Sequence, residues 1–173
     1  MVQRADSFDL GRLMLHPGEG RRLELGVGLD PLEYGGQRYT LGDPVVPARL
    51  DVSRTFGGYV LRLRFDARVL GPCVRCLAEA ASPIHVDARE IEQAGGGEEL
   101  DSPYVDGDEL DLHAWSRDAL ALALPARILC REDCRGLCPT CGTDLNAAPE
   151  DHRHDEPGDV RWAALDELRA RLG

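Results

Sequence analysis

Six cysteines stand in this 173-residue chain, and none of them is isolated. Cys73-Val74-Arg75-Cys76 and Cys138-Pro139-Thr140-Cys141 are close pairs, Cys130 and Cys134 precede the second pair, and His152-Arg153-His154 follows it. A Cys-x-x-Cys turn lets two sulfurs meet one ion at about 2.3 Å while turn amides point at the first sulfur and favour its thiolate. Pro139 presets such a turn and Gly142 accepts the positive φ that closes it, the form of a zinc knuckle. A single buried cysteine usually behaves as a small hydrophobe. Six in this grouping ask for a metal, and eight donors divide into two tetrahedral sites. One division gives Cys73, Cys76, Cys130 and Cys134 to a first ion and Cys138, Cys141, His152 and His154 to a second. Another puts both Cys-x-x-Cys pairs on one ion, as in a zinc ribbon, with the other four donors free or partly used. Spacing leaves both open, so one or two Zn2+ ions are expected.

Catalytic uses of the same residues fit less well. Pro72-Cys73-Val74-Arg75-Cys76 matches half of the zinc deaminase signature and His154-Asp155-Glu156 supplies His-x-Glu, but in deaminases the His-x-Glu comes first. Both candidate sites are filled by protein donors, whereas catalytic zinc keeps a position open for water. A redox Cys-x-x-Cys belongs at a strand-to-helix junction, and Cys73 lies between predicted strands. No nucleotide loop, Ser-His-Asp arrangement or zincin motif occurs. The expectation is a protein that is not an enzyme. His16, His85 and His113 stand singly and read as structural.

The elements that must position the cysteines begin with alternation of apolar and polar residues, the mark of antiparallel sheet with one wet face. Leu23, Leu25, Val27 and Leu29 share one face of a first strand, Ala48, Leu50 and Val52 one face of a second, and Leu61, Leu63, Phe65, Ala67 and Val69 one face of a long strand over Tyr59–Leu70. Thr55-Phe56-Gly57-Gly58 supplies the hairpin turn between the last two. A further strand is expected over Ile84–Ile91, with Pro83 at its start, where a missing amide costs least. Residues 92–111 carry Gly95-Gly96-Gly97 and read as a mobile acidic loop. A helix starts near Asp111, which caps it, and Leu112, Trp115, Ala119 and Leu122 share a face until Pro125 stops it. A last helix from about Asp159 carries Trp162, Leu165, Leu168 and Leu172. The fold class is α+β: an antiparallel, possibly barrel-like sheet with one packed helix and a C-terminal zinc-binding tail ending in a helix. The expected domains are a β-rich core over 1–125, with acidic loop 92–111 and helix 111–124, and a tail over 126–173.

Composition bounds the partners. The hydrophobic fraction is 43% and the charged fraction 29%, as in ordinary globular proteins, and no apolar run is long enough to span a bilayer. The first twenty residues have no apolar core or cleavage site of a secretory signal, so a cytoplasmic, reducing location is expected, where cysteines bind metals more often than they pair. The net charge of −11 argues against a protein that simply coats nucleic acid. Eight acidic residues and no basic one lie between Ile91 and Asp111, so most of that charge sits in one segment.

The chain resembles the YceD family of bacterial and plastid large ribosomal RNA subunit accumulation proteins. The resemblance rests on Cys73-Val74-Arg75-Cys76-Leu77 after a strand, on the Asp111-Leu112 helix ending in Leu122-Ala123-Leu124-Pro125, and on the block from Cys130 to Asn146. Where many relatives carry Cys-x-Cys, this sequence has His152-Arg153-His154. The resemblance implies a non-catalytic role in making or maintaining 23S ribosomal RNA in the assembling large subunit. Partners would then be 23S rRNA or a precursor large subunit, with no membrane. Arg62, Arg64 and Arg68, joined by Arg49, form a candidate RNA-binding face, although few aromatics are present to stack on bases. The acidic segment offers a second reading, an adaptor that holds a basic ribosomal protein.

Overall fold

The computed structural model describes residues 4–154, apart from 94, 96, 98 and 99, together with Arg171. The helix expected from about Asp159 lies outside the described residues, Arg171 apart. Strands dominate: β1 (Arg4–Ala5), β2 (Ser7–Asp9), β3 (Gly20–Gly28), β4 (Leu32–Tyr34), β5 (Gln37–Leu41), β6 (Val45–Arg54), β7 (Gly58–Pro72), β8 (Glu79–Gln93), β9 (Val105–Asp106) and β10 (Glu109–Asp111). One helix follows, α1 (Leu112–Ala123). Two compact units result, Met1–Cys134 and Arg135–Gly173. The division falls after Cys134 and not after Pro125 as expected, and the stretch after the helix stays with the first unit. Val74 N donates to Ile128 O at 3.0 Å, and Ile128 is buried.

The first unit is a curled, half-barrel sheet. Its strands run β1-β3-β6-β7-β5-β4, and β8 pairs with β7 along its whole length, Gly58 opposite Gln93 and Pro72 opposite Glu79. Alternation decides the core. Val46, Ala48, Leu50 and Val52 of β6, Leu61, Leu63, Phe65, Ala67 and Val69 of β7, and Ala80, Ile84 and Val86 of β8 are buried on one face. Helix α1 supplies Leu112, Trp115, Ser116, Ala119 and Leu120 to the buried side. Asp111 caps it, accepting from Ala114 N at 2.8 Å, and the helix stops two residues before Pro125, whose ring disfavours helical backbone at Leu124. Leu122 was expected on the buried stripe but is 89% exposed, because the buried face is centred on Leu112, Ser116, Ala119 and Leu120 and leaves Leu122 at its margin.

Two stretches depart from expectation for reasons visible in the backbone. β8 starts at Glu79, so Pro83 lies inside it rather than before it. Cys73 N donates to Ala78 O at 2.8 Å, which turns the even-numbered residues of β8 toward β7 and the odd-numbered ones away from it. Pro83 belongs to the odd set, so its missing N–H costs the ladder nothing. The acidic stretch is also not a loop throughout, because β9 and β10 join β2 in a three-stranded sheet, with Leu110 opposite both Phe8 and Val105 and fully buried. Tyr104 stacks on Trp115 and donates to Asp118 at 3.2 Å, which ties this sheet to the helix. The turn before β7 needs glycine for close approach, since a Cβ on Gly58 would sit 1.8 Å from the carbonyl oxygen of Glu92.

Candidate metal centres

The first centre lies in the first unit. Strands β7 and β8 carry Cys73 and Cys76 at the tip that joins them, and the chain after α1 brings Cys130 and Cys134 to the same place. The tip is held by Leu77 N to Cys73 O at 2.9 Å and Cys73 N to Ala78 O at 2.8 Å. Arg75 stitches the two pieces together, its guanidinium donating to Cys134 O at 2.7 Å while its backbone N–H points at Cys73 Sγ, 3.5 Å away. The four sulfurs lie within 4.8 Å of one another, with Cys73 and Cys134 at 3.8 Å and Cys76 and Cys130 at 3.6 Å. None is in a disulfide. Four sulfurs about 2.3 Å from a tetrahedral ion stand about 3.8 Å apart, so the donor set fits a divalent metal. Cys73, Cys76 and Cys134 are buried, and Cys130 is exposed.

Electrostatics split the four thiols. Burial pushes Cys73 up, but the backbone N–H groups of Cys76, Cys130 and Arg75 outweigh it and hold its pKa at about 6. Cys130 is exposed as a residue, but desolvation of its sulfur at the cluster and the neighbouring sulfurs of Cys134, Cys76 and Cys73 push it up to about 12. Thiols crowded this closely cannot all ionise by themselves, and a bound cation is what reverses that balance.

The second centre lies in the second unit. Cys138, Cys141, His152 and His154 place their ligand atoms within 4.8 Å of one another. Cys141 Sγ is 3.5 Å from His152 Nε2 and 3.2 Å from His154 Nε2, and the two imidazole nitrogens are 3.1 Å apart. Bonds of about 2.0 Å to nitrogen and 2.3 Å to sulfur give tetrahedral edges of about 3.3 to 3.6 Å, close to these spacings. The knuckle repeats the first one bond for bond: Gly142 N to Cys138 O at 2.8 Å and Cys138 N to Thr143 O at 2.8 Å. Backbone N–H groups, that of Cys141 foremost, lower the Cys138 pKa, and the Thr143 hydroxyl is the chief cause that lowers Cys141. A bridge between Leu137 and Asp144 closes the hairpin, and Asn146 accepts from Arg135 N at 2.8 Å.

One position separates the two knuckles. The residue after the second cysteine has φ +73° in Gly142 and φ +62° in Leu77. Left-handed backbone costs a side-chain-bearing residue about 1–2 kcal/mol, and Leu77 regains little of it, being 64% exposed.

The remaining expected residues are on the outward face of the sheet. Register sets Arg22, Asp51, Arg62 and Arg89 in one row across β3, β6, β7 and β8, and Glu24, Arg49, Arg64 and Asp87 in the next. Carboxylates hold most of these arginines: Arg22 bonds Asp51 at 2.6 Å, Arg49 bonds Glu24 at 3.0 Å, Arg62 bonds Asp87 at 2.7 Å, and Arg64 bonds Asp51. Arg62 is the first cause that lowers the Asp87 pKa to about 2. Arg68 is exposed and has no salt bridge among the described residues. The face is therefore a lattice of paired charges more than a bare cationic strip. The three single histidines are engaged with carboxylates: His16 with Glu19, His85 with Asp66 and His113 with Asp30.

A half-barrel sheet whose hairpin tip carries a four-cysteine cluster, and a small Cys/His unit with a second cluster, define a sheet-based module with two donor sets that could each hold a metal ion. The family described as large ribosomal RNA subunit accumulation protein YceD matches residues 61–169, more than half of the chain, and the chain belongs to that family. Uncharacterized proteins of Mycobacterium tuberculosis (strain H37Rv) and Mycobacterium bovis are 36% identical to it over 108 residues, 59% of this chain and 51% of theirs. One of Mycobacterium leprae is 33% identical over 111 residues, 60% of this chain and 50% of its own. The chain thus spans about half the length of these relatives. No solved structure matches it.

Proposed function

We propose that this protein is a non-catalytic, zinc-binding factor that supports the synthesis, processing or accumulation of 23S rRNA in the large ribosomal subunit. The family description supports the process, and one observation carries the mode of action: each cluster offers four protein donors at tetrahedral spacing. An ion held by four protein ligands has no position for a substrate or a water, so it shapes the molecule and leaves the activity to its surfaces. Thiolate and imidazole donors at these spacings suit Zn2+ better than the hard cations, which take oxygen. Depleting the protein in its host should lower 23S relative to 16S rRNA and accumulate precursor large subunits on a sucrose gradient. An unchanged ratio with unchanged precursors would refute the reading.

A second reading has its own observation. Asp101, Asp106, Asp108, Glu109 and Asp111 are exposed along the small sheet and its approach, and an ordered acidic edge can hold a basic ribosomal protein before RNA replaces it. Direct RNA binding through Arg49, Arg62, Arg64 and Arg68 is the weaker route, because phosphates would have to displace Glu24, Asp51 and Asp87 from three of the four. Changing Asp106 and Glu109 to lysine separates these routes: it should release ribosomal proteins from the purified factor and leave rRNA crosslinks in place.

A further inference from the structure

Strand β8 runs for 15 residues and, among the described residues, pairs with β7 alone. Its odd-numbered residues turn their N–H and C=O groups to the open side. Gln93 shows the direction by donating to Leu100 O at 2.9 Å. Between Pro83 and Gln93, then, His85, Asp87, Arg89 and Ile91 present main-chain donors and acceptors that have no strand partner among the described residues, and all four side chains are exposed. Such an edge is a template for another strand, and proteins commonly guard one with proline or with repelling charge. Here the guards are of opposite sign two residues apart, and opposite signs at that spacing attract a second copy.

We propose that two copies of this chain pair through β8, antiparallel about a two-fold axis at Ala88. In that register Asp87 stands opposite the partner's Arg89 and Arg89 opposite the partner's Asp87, with His85 and Ile91 facing in the same reciprocal way. All are residues whose main chain points outward, so the ladder and the charge pairs form together. Arg89 supplies the reason for this partner. The other arginines of the two outward rows have a carboxylate, whereas Arg89 makes no salt bridge among the described residues. Neighbouring registers are poorer. An axis at Asp87 sets that carboxylate opposite its own copy, and one at Arg89 sets arginine opposite arginine, so each puts like charges together. A single strand ladder covers less than the roughly 800 Å² per partner of a stable dimer, so the association is weak and depends on concentration.

Sedimentation of the full, metal-loaded chain over a range of concentrations should show a monomer–dimer equilibrium. Arg89→Pro removes one outward donor and one charge while leaving the ladder to β7 intact, and should give a monomer with unchanged circular dichroism and metal content. Arg89→Asp puts like charges together at two places and should weaken the dimer about tenfold or more. Adding Asp87→Arg to it should restore association. Wild-type protein that is monomeric at every concentration would overturn the proposal. So would a dimer indifferent to both Arg89 variants.

Discussion

The two metal centres use the same turn in opposite settings. The first lies at the end of a sheet in which Leu50, Leu61 and Leu63 are fully buried, so its four sulfurs close a structure that has a core of its own. In the second unit, Cys138 is the one buried apolar side chain among the described residues 135–154. A hairpin with so little apolar burial cannot offset the entropy of its own ordering. An ion in the first cluster would therefore fasten a fold, and one in the second would make one.

The largest test of that contrast is metal removal. Chelation should abolish amide protection across 135–154 while β6, β7 and the paired edge of β8 stay protected in hydrogen exchange. Loss of both regions together would erase the distinction. Next in size is the apolar core: Leu63→Ala should cost about 2–5 kcal/mol in chemical denaturation without changing the metal bound by the second unit. Third is the position that differs between the knuckles. Gly142→Leu should destabilise its hairpin by about 1–2 kcal/mol, whereas Leu77→Gly relieves the same strain and should leave the first unit as stable or more so. If Leu77→Gly costs more than Gly142→Leu, the leucine earns its place by packing that its exposure does not reveal.

The smallest effect is a pH dependence outside both centres. The Asp87 pKa is held down to about 2 by Arg62 in the folded chain, against about 3.9 when unfolded. A depressed carboxylate stabilises above its unfolded pKa and loses that contribution as pH falls through the folded one. Asp87→Asn should therefore flatten part of the acid limb of stability between about pH 4 and pH 2 and leave neutral-pH metal content unchanged. An identical acid limb in the variant would show that the pair contributes nothing.

Sequence reading served the two regions unequally. Alternation made β6 and β7 legible because one face is buried and the other wet, and the ends of α1 followed from Asp111 and Pro125. The Tyr34-Gly35-Gly36-Gln37 turn joining β4 to β5 went unread, although Gly-Gly is a hairpin signal and both glycines have positive φ, as a two-residue hairpin requires. It was hidden by the shortness of the strands around it. β9 and β10 were masked by acidic residues that point outward while Leu110 alone is buried. Pro83 obscured the start of β8, because its harmlessness depends on which edge its nitrogen faces, and that is a property of the sheet. For the cysteines, spacing identified the donors but could not divide them, since division depends on how 126–134 returns to the hairpin tip.

Native mass spectrometry of the wild type, Cys76→Ser and Cys138→Ser proteins purified without chelator tests the central claim most directly. Two independent centres predict two zinc ions in the wild type and one in each variant. Fewer than one ion in the wild type, or loss of all zinc from either single variant, would contradict them.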